Sequence, residues 1–340
     1  MRGAQTDSDT WKRMVLRSMP LPAWLGQDAP QSDVVLSSRA RYMRNLRGHR
    51  FPHACDRAEL GTVMRLVLDA ASQAKLGLEA LKVISNAERD HLVGCRLISP
   101  DFPWSEHGRA LLIDESRSMS LMVNEEDHLR LQALTAGWSI DAADSLAYKY
   151  TCALGERLEY AYSKDFGYLS ASPFNAGEGR RMSCMLHLIG LAQGKRLPSV
   201  LKALATKGLT ARGLFGESSR AIGAFVQVSV LQGSRSEFVG AVDYLIREER
   251  LARQGLSRDV LEVKAAQATE FAIASRTISL ADALRVLAWI RWGASVKLPG
   301  AVKTARDVDA FLTTLEIRSD EEHKNASRNR AESLRGLVEG

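Results

Sequence analysis

Three consecutive acids stand at the end of an apolar stretch near the middle of the chain. Glu125, Glu126 and Asp127 are followed directly by His128, and Arg130 comes two residues later. Grouped carboxylates suit two tasks: they bind Mg²⁺ directly or through water, or they hold a guanidinium while one of them accepts its proton. The alternative is a helix N-terminus, where acids interact favourably with the helix dipole. The histidine alone is more typical of a structural residue.

Arginines cluster in a second segment, near residue 40. Arg39 and Arg41 occupy alternate positions of a strand-like stretch, and Arg44 follows them. Side chains two residues apart on a strand point to the same face, so Arg39 and Arg41 form a doubly cationic surface. Guanidinium groups bind phosphate oxygens through paired hydrogen bonds, which favours a polyphosphate site. The alternative is a solvated basic edge of a sheet.

Two glycine-containing loops carry further arginines. The first spans residues 167–181 and ends on Arg180 and Arg181, and the second spans residues 212–219 and begins with Arg212. The backbone N–H groups of such loops can approach an anion closely. Taken alone, the second loop is typical of an ordinary hairpin turn. Neither loop has the spacing of a Walker A motif, and the glycines do not form a dinucleotide-binding fingerprint.

Composition narrows the classes of protein. The 340 residues are 45% hydrophobic and 25% charged, which excludes a disordered or collagen-like chain. Four scattered cysteines without metal-site spacing indicate buried or incidental thiols of a reducing compartment. We recognise no signal peptide and no apolar run long enough for a membrane helix. We therefore expect a cytoplasmic protein without a membrane partner.

Periodicity predicts the elements that position these motifs. Strand-like runs lie at 110–113, 119–123, 168–171, 209–214 and 224–231, and helical spacing covers 57–76 and 141–163. The apolar run after Arg181 resembles a helix. The later part of the chain reads as helices at 237–254, 258–275, 279–293, 307–316 and 320–337. We therefore expect an α+β unit over residues 1–233 and an all-helical unit over residues 234–340.

Taken in order, four motifs resemble those of the ATP:guanidino phosphotransferases. They are SSRAR at 37–41, VNEEDHLR at 123–130, an SPxNxGxGxR loop at 172–181 and RGxxGE at 212–217. The similarity covers about residues 30–335 and is greatest to the protein-arginine kinase branch. It implies a guanidino-kinase-like catalytic domain, with an antiparallel sheet flanked by helices, ahead of the helical unit.

The resemblance also implies a reaction and the residues that perform it. ATP, with Mg²⁺, would donate its γ-phosphoryl group to a guanidinium, whose pKa above 12 requires a base to remove its proton. Glu126 would be that base, and Glu125 would hold the acceptor or, through water, Mg²⁺. The residues implied to contact ATP are Ser37, Ser38, Arg39, Ala40, Arg41, Arg96, Arg130, Arg181, Met182, Ser183, Cys184, Met185, Arg212, Gly213, Leu214, Phe215, Gly216 and Glu217. Those implied to shape the loop wall are Ser172, Asn175, Gly177 and Gly179.

The layout of the chain indicates the protein-directed branch. Small-substrate members of the family carry a helical domain ahead of the SSRxR motif, whereas only 36 residues precede Ser37 here. Without that front domain, the acceptor site would be open to an arginine on a protein. The resemblance thus implies a kinase that marks arginine-bearing protein substrates for degradation. It further implies a homodimer formed by the helical unit, and activator and protease-chaperone partners.

Several positions depart from the family pattern. Ser172 replaces a Cys that tunes acceptor chemistry. Glu178 replaces a Thr, and its anion beside the phosphates would weaken nucleotide binding unless Arg180 pairs with it. Arg96 replaces a His and can still reach a phosphate. Of the RDxxRA motif that senses phosphoarginine in the branch, only the final Arg-Ala survives within residues 326–331, so we expect self-sensing to be impaired.

Three other functions are compatible with the sequence. A degenerate member that binds ATP or phosphoarginine without transfer is favoured by Ser172, Glu178 and the altered sensor, and is opposed by the retained carboxylates and arginines. A small-guanidine kinase is the second alternative. A basic nucleic-acid adaptor rests only on the pI of about 9.2, and we expect no nucleic-acid partner.

Overall fold

An eight-stranded antiparallel sheet forms the centre of the computed structural model, which describes residues 20–26, 28–83, 85–214, 221–230, 234–302, 304–315 and 326–339. Its strands are β1 (Val35–Arg44), β2 (Leu78–Ala80), β3 (Ala110–Asp114), β4 (Met119–Val123), β5 (Leu129–Ala136), β8 (Arg180–His187), β9 (Leu209–Gly213) and β10 (Phe225–Val230). They lie in the order β2-β3-β4-β5-β1-β8-β10-β9. Two further strands, β6 (Tyr162–Ser163) and β7 (Gly167–Tyr168), pair with each other.

Helices flank this sheet, and helices also follow it. The first group is α1 (Arg57–Gln73), α2 (Asn86–Gly94), α3 (Ile140–Gly155), α4 (Ile189–Gln193) and α5 (Leu197–Ala205). The second group is α6 (Arg235–Gln254), α7 (Arg258–Ala274), α8 (Leu280–Ser295), α9 (Ala305–Thr314) and α10 (Ala326–Glu339). This α+β architecture confirms the predicted fold class. Among the residues placed in the structure, no helix is both long and apolar enough to cross a membrane.

The central strand β1 separates two chemically different faces of the sheet. Ala40 enters a buried apolar core with Val67 of α1 and Ala147 of α3. Arg39 and Arg41 occupy the opposite face, as the alternation predicts. Burial of the apolar side fixes the strand register, because a slip of one residue would exchange the two faces.

A buried ionic cluster holds the later helices against the start of β1. Arg291 of α8 donates to both carboxylate oxygens of Asp309, at 2.7 and 3.1 Å, and to the carbonyl of Asp33. Arg306 of α9 donates to Asp309 and to the carbonyl of Leu36 in β1. We call Arg291, Arg306 and Asp309 the junction cluster. It places α9 beside the arginine-bearing strand.

Some predicted elements differ from the observed ones. The apolar run after Arg181 is the strand β8 and not a helix, because a strand buried on both faces is apolar throughout and loses its alternation. Helix α3 ends at Gly155 instead of at residue 163. The ring of Tyr160 folds back against Gly155, and a Cβ at Gly155 would overlap that ring. The predicted strand at 168–171 is limited to the short β7.

Other elements were missed or lie outside the described residues. The sequence did not predict β2, β5, β6, α2 or α5, and the N-terminal part of the helix predicted at 320–337 lies outside the described residues. The domain boundary at residue 233 stays a prediction, since residues 231–233 also lie outside the described residues.

Candidate active site

Arginines from four strands lie on one face of the sheet. We call this set the arginine face: Arg39, Arg41, Arg130, Arg181 and Arg212. Residues paired across antiparallel strands share a face, and the register places Arg41 opposite Arg181 of β8. Met43 of β1 lies opposite Arg130 of β5, and Gln227 of β10 lies opposite Arg212 of β9. The sheet therefore gathers the five arginines that the motifs predicted would surround phosphates.

These arginines have few counter-ions. Arg130 pairs with Glu125, but within the described residues no carboxylate forms an ion pair with Arg39, Arg41 or Arg181. The Nε atoms of Arg41, Arg130 and Arg181 are buried without a hydrogen-bond partner in that part of the chain. Burial and the neighbouring arginines lower the pKa of Arg39 to about 9. Such a surface is completed by an anion with several oxygens.

Arg96 joins the arginine face from the end of α2. The backbone N–H of Arg96 donates to the carbonyl of Val93, and the backbone N–H of Leu97 donates to the carbonyl of Leu92, both at 2.9 Å. These two bonds form a Schellman motif, in which glycine usually takes the left-handed position. Here Arg96 takes it, at φ 61°, and its guanidinium donates to Ser37 Oγ at 2.7 Å. An arginine at this unfavourable position supports the prediction of a functional role.

Glu125 is held as an anion in the turn between β4 and β5. Its Oε1 accepts hydrogen bonds from Arg130 and from Ser99 Oγ, both at 2.6 Å. Its Oε2 accepts the backbone N–H of Glu126 at 2.9 Å. Burial alone would raise the pKa of Glu125, but the charge of Arg130 and these hydrogen bonds outweigh burial and lower it. Glu125 thus stays ionised.

Glu126 is in the opposite situation. Its side chain is exposed, and Asn175 Nδ2 donates to its Oε2 at 3.2 Å. Partial burial, together with the charges of Asp127 and Glu125, raises the pKa of Glu126. Two adjacent carboxylates whose pKa values are moved apart typically divide electrostatic and proton-transfer roles between them. Glu126 is the one with an accessible oxygen that can accept a proton.

Asp127, the third acid, anchors the loop that follows β7. It is fully buried, and it accepts hydrogen bonds from Asn45 Nδ2 at 2.6 Å, from Ser170 Oγ and from the backbone N–H of Ala171. It therefore fixes the distance between the acidic turn and the loop that carries Asn175. The sequence assigned this residue no role, because its partners are more than 40 residues away on either side.

His128 is a structural residue, as its isolated position suggested. Its Nδ1 accepts the backbone N–H of Leu46 at 3.0 Å, so its Nε2 carries the proton and donates to the carbonyl of Arg50 at 2.8 Å. Burial lowers the pKa of His128 to about 4. Both ring nitrogens are therefore engaged away from Glu125 and Glu126.

Arg44 shapes the glycine loop instead of binding in the arginine face. Its guanidinium lies 3.5 Å from the ring centroid of Tyr168 and donates to the carbonyls of Glu178 and Gly179. A Cβ at Gly179, where φ is 57°, would overlap Arg44 Nη1, so glycine is required there. The Glu178 side chain pairs with Arg180 at 2.7 Å. Because Arg180 pairs with Glu178, the Glu178 carboxylate is compatible with a phosphate bound nearby, as the sequence analysis required.

The remaining predicted site residues are divided between the two faces of the sheet. Ser37, Ser183 and Met185 share the face of Arg39 by register. The side chains of Ser38, Ala40, Met182 and Cys184 lie on the opposite face. Ser172 precedes the 3-10 helix Pro173–Asn175, Gly177 bridges Gly167, and Gly213 and Leu214 line a cavity at the arginine face. Phe215, Gly216 and Glu217 lie outside the described residues.

Comparisons with known proteins agree with this geometry. A family model described as ATP:guanido phosphotransferase, C-terminal catalytic domain, matches residues 61–233. The protein-arginine kinase of Pelotomaculum thermopropionicum is 35% identical over 292 residues, which is 81% of this chain and 82% of that protein. The protein-arginine kinase of Halothermothrix orenii is 36% identical over 286 residues, which is 80% of this chain and 82% of that protein.

Solved structures share the fold at lower sequence identity. A lombricine kinase is similar with a TM-score of 0.57 and 23% identity, over 71% of this chain and 74% of that one. The duplicated taurocyamine kinase from Schistosoma mansoni with bound transition state analogue components gives a TM-score of 0.58 and 21% identity. That match covers 69% of this chain and 35% of the duplicated one.

Proposed function

Since the chain belongs to the ATP:guanido phosphotransferase family, we propose that it is a protein-arginine kinase. It transfers the γ-phosphoryl group of ATP to the guanidinium of arginine residues in proteins. One observation carries the proposal: a face of five arginines, of which Arg39, Arg41 and Arg181 form no ion pair with a described residue, lies beside two carboxylates whose pKa values are shifted in opposite directions. The relatives of similar length are named protein-arginine kinases.

The arginine face would bind the triphosphate. Phosphoryl transfer through a loose transition state depends mainly on positioning and on neutralising the charge of the transferring group. Arg41 and Arg181 face each other across β1 and β8, so both can donate to one phosphoryl group. Because Arg39, Arg41 and Arg181 form no ion pair with a described residue, the triphosphate would supply their missing counter-charge.

Glu126 would act as the base. The N–P bond forms as the acceptor guanidinium nitrogen attacks the γ-phosphorus, the bond to the ADP oxygen breaks, and the guanidinium proton passes to Glu126. Its raised pKa makes it a better proton acceptor than an ordinary carboxylate. Glu125, ionised and fixed by Arg130 and Ser99, would hold the positive charge of the acceptor until that proton leaves.

The site is compatible with Mg²⁺ that arrives with ATP. Among the described residues there is no group of three His, Cys, Asp or Glu that could hold a metal, and Mg²⁺ in kinases is bound largely by substrate phosphates and water. Both oxygens of Glu125 accept hydrogen bonds from the protein, but a carboxylate has about four lone-pair sites. Glu125 can therefore also accept a bond from a metal-bound water. When bound, Mg²⁺ would neutralise phosphate charge.

Exposed aromatic side chains beside Glu126 favour a protein acceptor over free arginine. Phe174, adjacent to Asn175, is 55% exposed, and Phe166 at the tip of the β6–β7 hairpin is 70% exposed. The hairpin reaches the same loop through the bridge between Gly167 and Gly177. Exposed apolar side chains on connected loops are typical of interaction sites, and here they would contact residues that flank the acceptor arginine.

The cellular setting is a further part of the proposal. We place the protein in the cytoplasm, as a homodimer that marks its substrates for regulated degradation with an activator and a protease-chaperone partner. Support for the dimer comes from α7, where Val260, Val263 and Phe271 are each more than 40% exposed. Arg330 of the altered sensor segment donates to the carbonyl of Ile278, which gives it a structural contact.

The test is phosphoryl transfer from γ-labelled ATP to an arginine-rich unfolded protein, with free arginine assayed in parallel. We expect acid-labile label on the protein and much less on free arginine. Glu126→Gln should reduce labelling by a factor of about 10²–10⁴, whereas the control Glu156→Gln, at the exposed end of α3, should leave it unchanged. ATP binding without label on either acceptor would indicate a degenerate binding protein instead, and preferential labelling of free arginine a small-guanidine kinase.

A further inference from the structure

The loop that carries Asn175 is held at both of its ends. Its start is tied to Asp127, which accepts hydrogen bonds from Ser170 Oγ at 2.9 and 2.8 Å. Its end enters β8 at Arg180. Between the two ends, Asn175 Nδ2 donates to Glu126 Oε2 at 3.2 Å. The geometry of that contact therefore depends on how firmly both ends of the loop are fixed.

Arg180 joins the end of the loop to helix α3. It lies opposite Tyr42 in the register of β1 and β8, so both side chains occupy the face of the sheet that is turned away from the arginine face. Asp144 of α3 accepts a hydrogen bond from the Tyr42 hydroxyl at 2.8 Å and forms an ion pair with Arg180 at 3.1 Å. Each carboxylate oxygen of Asp144 thus has one partner. We call Tyr42, Asp144 and Arg180 the rear anchor.

The rear anchor is largely shielded from water. The side chains of Arg180 and Asp144 are 20% and 16% exposed, and charges with little access to solvent attract each other more strongly than exposed ones. Burial and the Asp144 carboxylate raise the pKa of Tyr42, so its hydroxyl stays a donor. Arg180 also pairs with Glu178, but that carboxylate is 74% exposed and fixes the guanidinium less firmly. Asp144 is therefore the principal carboxylate that holds Arg180 in place.

We propose that Asp144 is a positioning residue for phosphoryl transfer: through Arg180 it fixes the end of the loop and so holds Asn175 against Glu126. Asp144 lies outside the four sequence motifs, on a helix that packs against the opposite face of the sheet from the arginines. The arginine face is fixed separately, by the ladder between β1 and β8. The inference rests on the proposed function, and it assigns Asp144 to the transfer step and not to ATP binding.

Kinetics with γ-labelled ATP and the unfolded protein acceptor test this assignment. Asp144→Ala should lower kcat about tenfold, because displacing a reacting group by about 1 Å can slow a reaction by up to about 10²-fold, and should change the Kd for ATP by less than about twofold. Arg180→Leu should match it, whereas Arg180→Lys, which keeps the cation, should retain most of the wild-type kcat. The control is Asp141→Ala on the same helix, whose pair with Arg235 is exposed; it should change neither quantity.

The pH–rate profile separates positioning from a direct effect of charge. The hydrogen bond from Asn175 lowers the pKa of Glu126, so a loosened loop should move the acid limb to higher pH. Loss of the Asp144 charge alone would move the limb to lower pH, because removing an anion favours ionisation of a carboxyl group. In the Asn175→Ala background, Asp144→Ala should therefore cause no upward shift. Three charged groups act on Glu126 and are unchanged in these variants: Glu125, Asp127 and Arg130.

Hydrogen exchange of the loop gives a measurement that does not need catalysis. The backbone N–H groups of Asn175 and Gly177 donate to carbonyls in the loop and in β7, and both should exchange faster in Asp144→Ala but not in Asp141→Ala. Unchanged exchange, or an unchanged kcat, in the folded Asp144→Ala and Arg180→Leu variants would overturn the proposal. A wild-type chain that labels no acceptor would refute the proposed function instead, and exchange alone would then decide whether Asp144 fixes the loop.

Discussion

Two groups of arginines each contain a member that is almost completely removed from solvent, Arg291 in the junction cluster and Arg41 in the arginine face, and these two differ in their partners. Arg291 of the junction cluster is fully buried, and Asp309 and two backbone carbonyls satisfy its guanidinium. Arg41 of the arginine face is only 7% exposed, yet it forms no ion pair with any described residue. Pairing, not burial, is therefore what separates these two arginines.

The contrast has an energetic reason. A buried charge is tolerated when an opposite charge and hydrogen bonds compensate the lost hydration. Arg41 lacks that compensation, and burial together with Arg39 and the other neighbouring arginines lowers its pKa well below the usual value. Such local conflicts are expected at functional sites, where a substrate supplies the missing partner.

The largest expected effect comes from breaking the paired group. Arg291→Leu leaves Asp309 buried with Arg306 as its remaining ion-pair partner, so we expect the free energy of unfolding to fall by about 3–5 kcal/mol. Urea unfolding of the full chain measures it. The matched control is Arg285→Leu on the same helix, whose pair with Asp282 is exposed and should contribute little. Equal losses in both variants would contradict the structural role of the junction cluster.

The second prediction concerns the unpaired group. Arg41→Gln removes a donor that we propose contacts the triphosphate, and we expect kcat/KM for phosphoryl transfer to fall about 10²–10³-fold, comparable to removing one preorganised donor from an oxyanion site. Labelling of the unfolded protein acceptor at several ATP concentrations measures this. A variant that retains the wild-type kcat/KM would show that Arg41 does not contribute to phosphoryl transfer.

Sequence periodicity could predict the arginine face but not its pairing state. Alternation placed Arg39 and Arg41 on one side of β1, and the motif resemblance added Arg130, Arg181 and Arg212. Alternation failed for β8, because burial on both faces removes the pattern that marks a strand. Whether a charge is paired depends on distant partners, and no local pattern links Arg291 to Asp309.

The acidic motif shows the same limit on a smaller scale. Resemblance assigned Glu125 and Glu126 different tasks, and their oppositely shifted pKa values are consistent with that division. The structural role of Asp127 depends on Ser170 and Asn45, which pair with it only after the chain has folded. Three adjacent residues of nearly identical chemistry thus acquire separate roles from their surroundings.

A third prediction uses the pH dependence of transfer. The base must be ionised, so the rate should fall as the pH drops through the raised pKa of Glu126. Asn175→Ala removes a hydrogen bond that lowers this pKa, so the acid limb of the pH–rate profile should move to higher pH. The measurement is kcat/KM between about pH 4 and pH 8. An acid limb that stays in place in the folded variant would exclude Glu126 as the titrating group.

The smallest effect is expected at Glu178. Its carboxylate is 74% exposed and already pairs with Arg180, and exposed pairs contribute about 0–1 kcal/mol. Glu178→Thr should therefore change the Kd for ATP by less than about fivefold. Titration calorimetry at two salt concentrations measures it. A larger gain in affinity would mean that the Glu178 anion acts on the phosphates despite its partner.

Thermal unfolding of the wild-type chain and of Arg41→Gln, each with and without saturating ATP, measures whether the arginine face depends on its ligand. We expect the variant without ATP to melt at the wild-type temperature or above it, because a buried, uncompensated charge has been removed. ATP should stabilise the wild type by about 2.7 kcal/mol at a hundredfold excess over Kd, and the variant far less. A variant that melts early but keeps the full ATP shift would contradict the claim that this arginine face is completed by its ligand.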